Sequence, residues 1–326
     1  MLDTIFPRNI RKLSALLAFA ISVVLTTPLQ AFSQGISFGE LKSELVDKTQ
    51  LHSEGYICEA RNAGHLLEVW RGADNNRVWL SLDNGGPFTL GFTETFQSPT
   101  VVGFGSEAFL VMHVGVDDHI YYTVVHPANP TTLHGWRDSG LVTTMPVAAA
   151  QMNALHSDDY QVPFVVYRAP NGTLWGTRYD TFNDVFGEPT PLRGGVGNSA
   201  PSITYNPYIE RLYAVVEGTD GALWLSFADA FTNPNTWTMW ARYDIRTYGQ
   251  PSIEATDSGT MVVTTRNDDG TSLFTTFDAT GVQTTGLYLD TMQTTYPIRL
   301  THVANTIYAL YTIYTSDYYR QVYKHP

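Results

Sequence analysis

Short apolar runs separated by turn-forming residues follow one another along most of the chain, and they come in groups of four. One group occupies residues 201–205, 212–217, 222–227 and 236–242, with Asn-Pro and Asp-Gly turn signals between the runs. No group carries a sustained apolar period of 3.6 residues, which excludes repeats built on helices. We therefore predict β-strands, four to a unit.

The units share a phrase in which an apolar strand is followed by an Asp/Asn/Gly turn and then by an aliphatic-aromatic pair. The closing aromatic residues fall at positions 79, 121, 175, 224, 274 and 323. A second landmark, a proline that opens the unit, keeps the same phase at positions 99, 146, 201, 251 and 297. Four strands per unit are typical of one propeller blade. The sequence predicts an all-β fold, a single β-propeller of six four-stranded blades over residues 55–326.

The sixth unit ends at Pro326, after its third predicted strand. We expect residues 34–54 to return to this blade as its outer strand and to close the ring. Two alternatives remain open. Residues 40–48 could form a short helix over the edge, and residues 34–54 with a split unit could supply a seventh blade.

Residues 1–33 have the pattern of a cleaved secretory signal peptide. Arg8, Arg11 and Lys12 precede an apolar stretch at 13–25, and small residues surround position 33. A stretch of about thirteen apolar residues is too short to cross a hydrocarbon core of about 30 Å. We predict a secreted protein, extracellular or periplasmic, with no transmembrane anchor after cleavage.

Composition excludes several classes of protein. The chain has 43% hydrophobic and 15% charged residues, which excludes intrinsic disorder, and a net charge of −12, which argues against a nucleic-acid partner. Cys58 is the single cysteine, so an intramolecular disulfide is impossible and a buried, inert thiol is expected. The nine histidines have no zinc-site spacing. We predict no metal and no cofactor.

One turn has a recognisable pattern. Residues 81–88, Ser-Leu-Asp-Asn-Gly-Gly-Pro-Phe, fit the Asp box of sialidase-like propellers, and a related Asp-Ala-Thr-Gly turn begins at Asp278. We expect the box between the third and fourth strands of its blade, with Asp83 accepting backbone N–H groups of its own turn and Phe88 buried below it.

The repeated phrase resembles that of bacterial secreted propeller lectins that bind fucose, whose blades carry Arg-Gly-x-Asp-Gly-x-Leu-Trp. The resemblance covers almost all of residues 55–323. It implies a non-enzymatic carbohydrate-binding protein with glycans or glycoconjugates as partners and several weak sites that act together. The matching dipeptides are Arg71-Gly72, Arg168-Ala169, Glu217-Gly218, Asp220-Gly221 and Leu223-Trp224.

A second repeat suggests binding residues. Asn-Pro-x-Thr at positions 129 and 233 is followed by an apolar residue and then, three positions later, by Trp136 or Trp240. Indole faces suit the C–H face of a sugar, whereas blade aromatics also pack sheet against sheet. Our candidate ligand-binding residues are Trp136, Trp237, Trp240, Arg71, Arg168 and Glu217.

The three charged candidates stand at the end of a second strand, where a loop-anchoring role is the alternative. Trp79, Trp175 and Trp224 follow an aliphatic residue in a third strand, and we assign them to packing.

Two other functions stay open. Sialidase-like or furanosidase-like hydrolases share the architecture, and a carboxylate pair could come from Glu59, Glu217 and Glu254 if two of them approach within about 5 to 9.5 Å. No complete catalytic constellation is visible, so we predict no catalytic residue. A scaffold that presents its loops to a protein partner is the third possibility.

Overall fold

The computed structural model describes residues 42–44, 55–73, 75–131, 135–154, 157–230, 234–290, 293–294, 296–303, 306–312 and 318–324. The chain divides between residues 37 and 38, and every described residue belongs to the second unit. The predicted signal peptide, residues 1–33, and most of the predicted closing segment, residues 34–54, lie outside the described residues. Among the described residues there is no helix long and apolar enough to cross a bilayer.

All regular structure in the described residues is β, and the first strand, β1 (Lys42–Glu44), belongs to the last of six antiparallel sheets, which we call blades I to VI. Blade I contains β2 (Cys58–Asn62), β3 (His65–Arg71), β4 (Arg77–Leu82) and β5 (Phe88–Glu94). Blade II contains β6 (Thr100–Phe104), β7 (Ala108–Val114), β8 (His119–Val125) and β9 (Arg137–Val142). Blade III contains β10 (Ala148–Ala154), β11 (Ser157–Arg168), β12 (Thr173–Asp180), β13 (Val185–Phe186) and β14 (Thr190–Val196).

The second half of the chain repeats the arrangement. Blade IV contains β15 (Ser202–Asn206), β16 (Arg211–Glu217), β17 (Ala222–Asp229) and β18 (Ala241–Arg246). Blade V contains β19 (Ser252–Ala255), β20 (Met261–Arg266), β21 (Ser272–Phe277) and β22 (Tyr288–Asp290). Blade VI contains β23 (Arg299–Val303), β24 (Thr306–Thr312), β25 (Tyr318–Lys324) and β1.

The first strands of the blades contact one another in ring order. β2 contacts β6, and the series continues through β10, β15, β19 and β23, which in turn contacts β2. Apolar side chains fill the space between consecutive blades, so that the core lies between sheets. Phe164 of blade III and Leu212 of blade IV, for example, belong to one buried cluster. The second strand β7 is buried along its whole length, because both of its faces meet a neighbouring blade.

The last blade combines strands from the two ends of the described residues. β1 runs antiparallel to β25, with Lys42 opposite Val322 and Glu44 opposite Arg320. β25 is the third strand of blade VI, and β1 is its fourth. Residues 42–44 are therefore a strand and not part of the helix considered for residues 40–48.

For the fourth strand of blade IV, predicted at residues 236–242, the predicted first residue is wrong. The regular ladder begins at Ala241, and before it only an isolated bridge joins Ala228 to Trp237. The cause is local competition by a side chain: the Thr238 hydroxyl accepts a hydrogen bond from the Phe227 N–H at 3.1 Å, which the ladder would otherwise use. The first three strands match the prediction within two residues at each end.

The turn with the Asp-box pattern joins β4 to β5, between the third and fourth strands as predicted, but Asp83 bonds differently from the expectation. Its Oδ1 accepts the N–H of Leu66 at 2.8 Å, and its Oδ2 lies 2.7 Å from Nδ1 of His65. Asp83 thus ties the β4–β5 turn to the start of β3. Asp278 does bond within its own turn, accepting the N–H groups of Thr280 and Val282.

Candidate functional site

A half-buried aromatic residue near the start of the third strand recurs in four blades. Each ring donates a hydrogen bond to a polar side chain. The acceptor lies either in the turn before the strand or at the first residue of the strand. The pairs are Trp79 with Asn75 at 3.3 Å, Tyr121 with Asp117 at 2.8 Å, Trp175 with Thr173 at 2.8 Å, and Trp224 with Asp220 at 2.9 Å. In blade V the corresponding residue is Phe274, which is 1% exposed and whose side chain has no hydrogen-bond donor group. Four blades therefore leave an aromatic ring partly exposed to solvent.

Glycine at the end of the second strand makes room for this ring. A Cβ on Gly72 would lie 2.6 Å from Nε1 of Trp79, and a Cβ on Gly115 would lie 2.6 Å from the ring of Tyr121. Gly218 is approached by Trp224 in the same way. The small residue in the repeated phrase is thus explained by the close approach of ring and backbone.

Blade IV combines its aromatic residue with two charges. Asp220 Oδ1 accepts the indole N–H of Trp224, and Asp220 Oδ2 accepts a hydrogen bond from Nε of Arg242 at 2.7 Å. Arg242 stands directly opposite Trp224 in the β17–β18 ladder, so the two side chains share one face of the sheet. The bonds from Trp224 and Arg242 hold the pKa of Asp220 at about 2, which keeps its carboxylate ionised.

Trp240 completes this group of side chains. It directly precedes β18, packs against the apolar cluster between blades III and IV, as Trp224 does, and donates from Nε1 to the carbonyl of Leu192 in β14 at 3.3 Å. We call Trp224, Trp240, Asp220 and Arg242 the Trp224 cluster. Both indoles are half-buried and both charged residues are exposed, so the cluster offers ring surface, a carboxylate and a guanidinium at one place.

Blade II repeats the framework of this cluster. Trp136 directly precedes β9 and donates to the carbonyl of Leu90 in the outer strand of blade I at 2.6 Å. Tyr121 stands opposite Asp138, whose carboxylate lies 2.9 Å from Nδ1 of His119. The predicted equivalence of the two Asn-Pro repeats is therefore visible in the bonds of their tryptophans, each of which ties its blade to the one before.

Trp237 has a different position from the other two candidate tryptophans. It is 1% exposed, and its ring centre lies 6.1 Å from that of Phe164 in the core between blades III and IV. No face of this indole can reach a ligand at the surface. We therefore leave Trp237 out of the candidate site.

The three charged candidates lie at the ends of second strands and contact turns or the loops that lead into neighbouring blades. Arg168 donates from Nε to the carbonyl of Gly197 at 2.6 Å, and Arg71 donates to Oδ1 of Asn76 at 3.3 Å. Glu217 accepts the N–H of Gly249 at 2.7 Å, and burial raises the pKa of this carboxyl. Arg168 and Glu217 hold loops in place, which is the alternative role considered for them.

The three carboxylates considered for hydrolysis do not all lie together. Glu59 and Glu254 line the same small cavities inside the ring, of about 90 and 200 Å³, whereas Glu217 lines neither. Burial raises the pKa of Glu254 to about 8. Cys58 lines the smaller cavity, and burial raises the pKa of its thiol, as expected for an unreactive cysteine. Within the described ranges no three His, Cys, Asp or Glu side chains are placed to hold a metal ion.

Sequence reasoning missed the best-placed residues. Asp220 and Trp224 belong to the repeated phrase, but Trp224 was assigned to packing because it follows an aliphatic residue in a central strand. Its half-buried ring packs against the core and leaves part of the indole exposed to solvent. Arg242 has no signal in the sequence, since its approach to Asp220 depends on the register of β18.

Comparison with known proteins establishes the fold. No protein-family model matches the chain, and no curated protein matches it in sequence. Among solved structures, a fungal lectin from Aleuria aurantia, described as a six-bladed β-propeller with a novel fucose recognition mode, has a TM-score of 0.59 at 11% identity over 86% of this chain and 93% of that chain. AofleA from Arthrobotrys oligospora has a TM-score of 0.62 at 8% identity over 87% of each chain.

A third similar structure is the SapL1 lectin in complex with α-methyl fucoside, with a TM-score of 0.54 at 13% identity over 85% of this chain and 98% of that chain. At such identities the likeness concerns the fold alone. The all-β architecture and the β-propeller fold predicted from the sequence are confirmed.

Proposed function

We propose that this protein is a non-enzymatic carbohydrate-binding propeller and that the Trp224 cluster holds a sugar. The observation that carries the proposal is the half-buried indole of Trp224 beside an ionised Asp220 and the guanidinium of Arg242. Support also comes from the solved propellers of similar fold, among them lectins crystallised with fucosides. Fucosides are therefore the first ligands to test.

The cluster suits a sugar because it offers two kinds of contact at once. The face of an indole attracts the polarised C–H groups on the apolar side of a pyranose ring. Asp220 can accept hydroxyl protons and Arg242 can donate to hydroxyl oxygens, and hydrogen bonds to charged groups are stronger than those between neutral groups. Existing bonds between Asp220, Trp224 and Arg242 fix all three before a ligand arrives, which lowers the entropic cost of binding.

We further propose that the binding is multivalent. Trp79, Tyr121 and Trp175 occupy the position of Trp224 in three other blades. Several weak sites on one rigid body gain avidity on a clustered glycan surface without any single site being tight.

The finer architecture belongs to the same proposal. We propose a ring of six blades closed by the N-terminal strand, for which the β1–β25 pairing and the ring order of the first strands are the support. We also keep the prediction that residues 1–33 direct export, so that the ring meets glycans outside the cytoplasm.

The decisive experiment titrates α-methyl fucoside into the wild-type protein and two variants by calorimetry. Trp224→Ala is expected to lower the number of sites by one and, on a glycan-coated surface, to weaken binding about tenfold. Phe182→Ala is the matched control, because Phe182 is an exposed aromatic residue outside the cluster and should bind like wild type.

Two outcomes would contradict the proposal. If the wild-type protein binds no glycan on an array but turns over aryl glycosides, the hydrolase alternative is supported. If it captures a protein from envelope or host extract and free sugars do not compete, the scaffold alternative is supported.

A further inference from the structure

A larger cavity, apart from the Trp224 cluster and from the two small cavities inside the ring, opens on the face where the first strands begin. Its volume is about 370 Å³, within the usual range for small-molecule sites. No residue of the Trp224 cluster lines it. Every blade contributes residues that precede its first strand, namely Tyr56, Gln97, Pro146, Ser199, Gln250 and Pro297. We call this the axial pocket.

The surroundings of the axial pocket are positive although the whole chain carries a net charge of −12. Arg71 is the one charged side chain among the described residues that line it. Arg168 and Arg266 donate to the carbonyls of Gly197 and Thr294, which lie within two residues of the lining, and Glu217 accepts the N–H of the lining residue Gly249. A guanidinium group in a lining whose described residues include no carboxylate favours an anionic ligand in this pocket.

A third observation concerns Gln250, a lining residue that is 7% exposed. Its Nε2 donates to the carbonyl of Pro201 at 2.7 Å, but no group of the described protein donates to its Oε1. A buried amide oxygen without a donor costs free energy, which a ligand hydroxyl would offset. A ligand with a hydroxyl donor as well as a negative charge therefore matches Gln250 and Arg71.

The remaining walls are aromatic and apolar. Phe96, 59% exposed, and Tyr296 lie in the lining, together with Met145 and two prolines. Tyr56 forms part of the lining, and Arg299 lies 4.1 Å over its ring and donates to its hydroxyl at 2.7 Å. A further positive charge thus lies directly against one wall of the pocket.

From these features we infer that the axial pocket binds one small sugar that carries a carboxylate, such as a uronic acid. The carboxylate pairs with Arg71, a ring hydroxyl donates to Oε1 of Gln250, and the C–H face packs against Tyr296 and Phe96. The site takes one ligand per chain and works independently of the sugar sites proposed at the blade edges.

The test compares glucuronate with glucose, which differ only in the carboxylate. Calorimetry at low salt should show glucuronate binding with one site per chain and glucose binding at least tenfold more weakly. Arg71→Gln should weaken glucuronate at least tenfold, and Arg71→Lys should weaken it less, because the charge is kept. Raising the salt concentration should weaken glucuronate binding, since an exposed ion pair is screened.

Matched controls separate this inference from the proposed function. Arg246→Gln removes an exposed arginine that does not line the pocket and should leave the glucuronate affinity within threefold of wild type. Trp224→Ala should abolish one fucoside site and leave glucuronate unchanged.

Three results would overturn the inference. They are equal affinity of the wild-type protein for glucuronate and glucose, a glucuronate stoichiometry above one, and loss of glucuronate binding in Trp224→Ala. The first two use the wild-type chain, so they decide the matter even if an Arg71 variant fails to fold.

Discussion

Blades II and IV share the same hydrogen-bonded aromatic residues at their outer edges, but the residues opposite the third-strand ring have opposite charge. In each, a tryptophan before the last strand donates to a carbonyl of the preceding blade, Trp136 to Leu90 and Trp240 to Leu192. In each, an aromatic residue of the third strand donates to an aspartate four positions earlier. The residue opposite that ring is Asp138 in blade II and Arg242 in blade IV.

Different residues set the hydrogen-bonded framework of the edge and the charge of the edge. The aromatic ring and the glycine against it recur together because they pack against each other within one blade. The residue opposite the ring differs between the two blades. It places a carboxylate at the edge of blade II and a guanidinium at the edge of blade IV. Behind the ring the blades differ too, since His113 in blade II takes the place of Val216 in blade IV.

The largest expected effect tests whether the two frameworks are equivalent. Trp237→Ala should lower the free energy of unfolding by about 3 to 5 kcal/mol, as for a buried tryptophan. Trp136→Ala and Trp240→Ala should each cost less than this and should cost similar amounts, because both rings are half-buried and make the same bond. Urea denaturation measures all three, and a large cost in one blade with none in the other would break the equivalence.

The next effect concerns acid stability and belongs to blade II alone. Burial lowers the pKa of His113 to about 4, and its ring packs edge-on against Trp136 at 4.5 Å. The unfolded chain binds this proton near pH 6.5 and the folded chain only near pH 4, so this contribution to stability is full above pH 6.5 and falls by about 1.4 kcal/mol per pH unit between those values.

His113→Phe keeps an aromatic ring and removes the titration. Relative to wild type, the variant should therefore gain stability as the pH falls from 7 to 4.5, which urea denaturation at the two pH values measures. Glu254 titrates in the opposite sense, because its raised pKa of about 8 makes its contribution fall as the pH rises from about 4.5 to 8. That contribution cancels in the comparison, and a constant difference between variant and wild type would refute the role of His113.

The smallest expected effect is on ligand affinity. Arg242→Asp gives blade IV the charge of blade II, and the loss of charged hydrogen-bond donors should weaken its fucoside site about tenfold, or about 1.4 kcal/mol. Asp138→Arg is the reciprocal change and should strengthen sugar binding at Tyr121. Unchanged affinity in both variants would show that the residue across the ladder does not govern binding.

Much of the fold could be predicted because its causes are local. The Asp-Gly turn of residues 220–221 needs a positive φ, and Gly221 has a φ of +71°. The alternating runs around it became β16 and β17 within two residues of the prediction. The predicted fourth strand of the same blade starts too early, because the Phe227 N–H donates to the Thr238 hydroxyl and not to a backbone carbonyl.

The candidate site could be predicted only in part. Trp240 was chosen from a repeat and does lie at a blade edge, whereas Trp237, three residues earlier in the same repeat, lies in the core. Both are aromatic and both follow the same turn signal, so nothing in their spacing distinguishes the one from the other. The difference comes from the direction in which residues 236–240 enter the sheet.

The sequence by itself determined the repeat, the strand type, the turns and the small residue under each ring, because each depends on neighbours within one blade. Tertiary structure alone decided that Arg242 meets Asp220 and that six separate loops converge on Arg71 and Gln250. Those meetings depend on strand register and on contacts between distant blades. Short-range preferences explain the repeats, whereas the candidate binding residues come together only through strand register and contacts between blades.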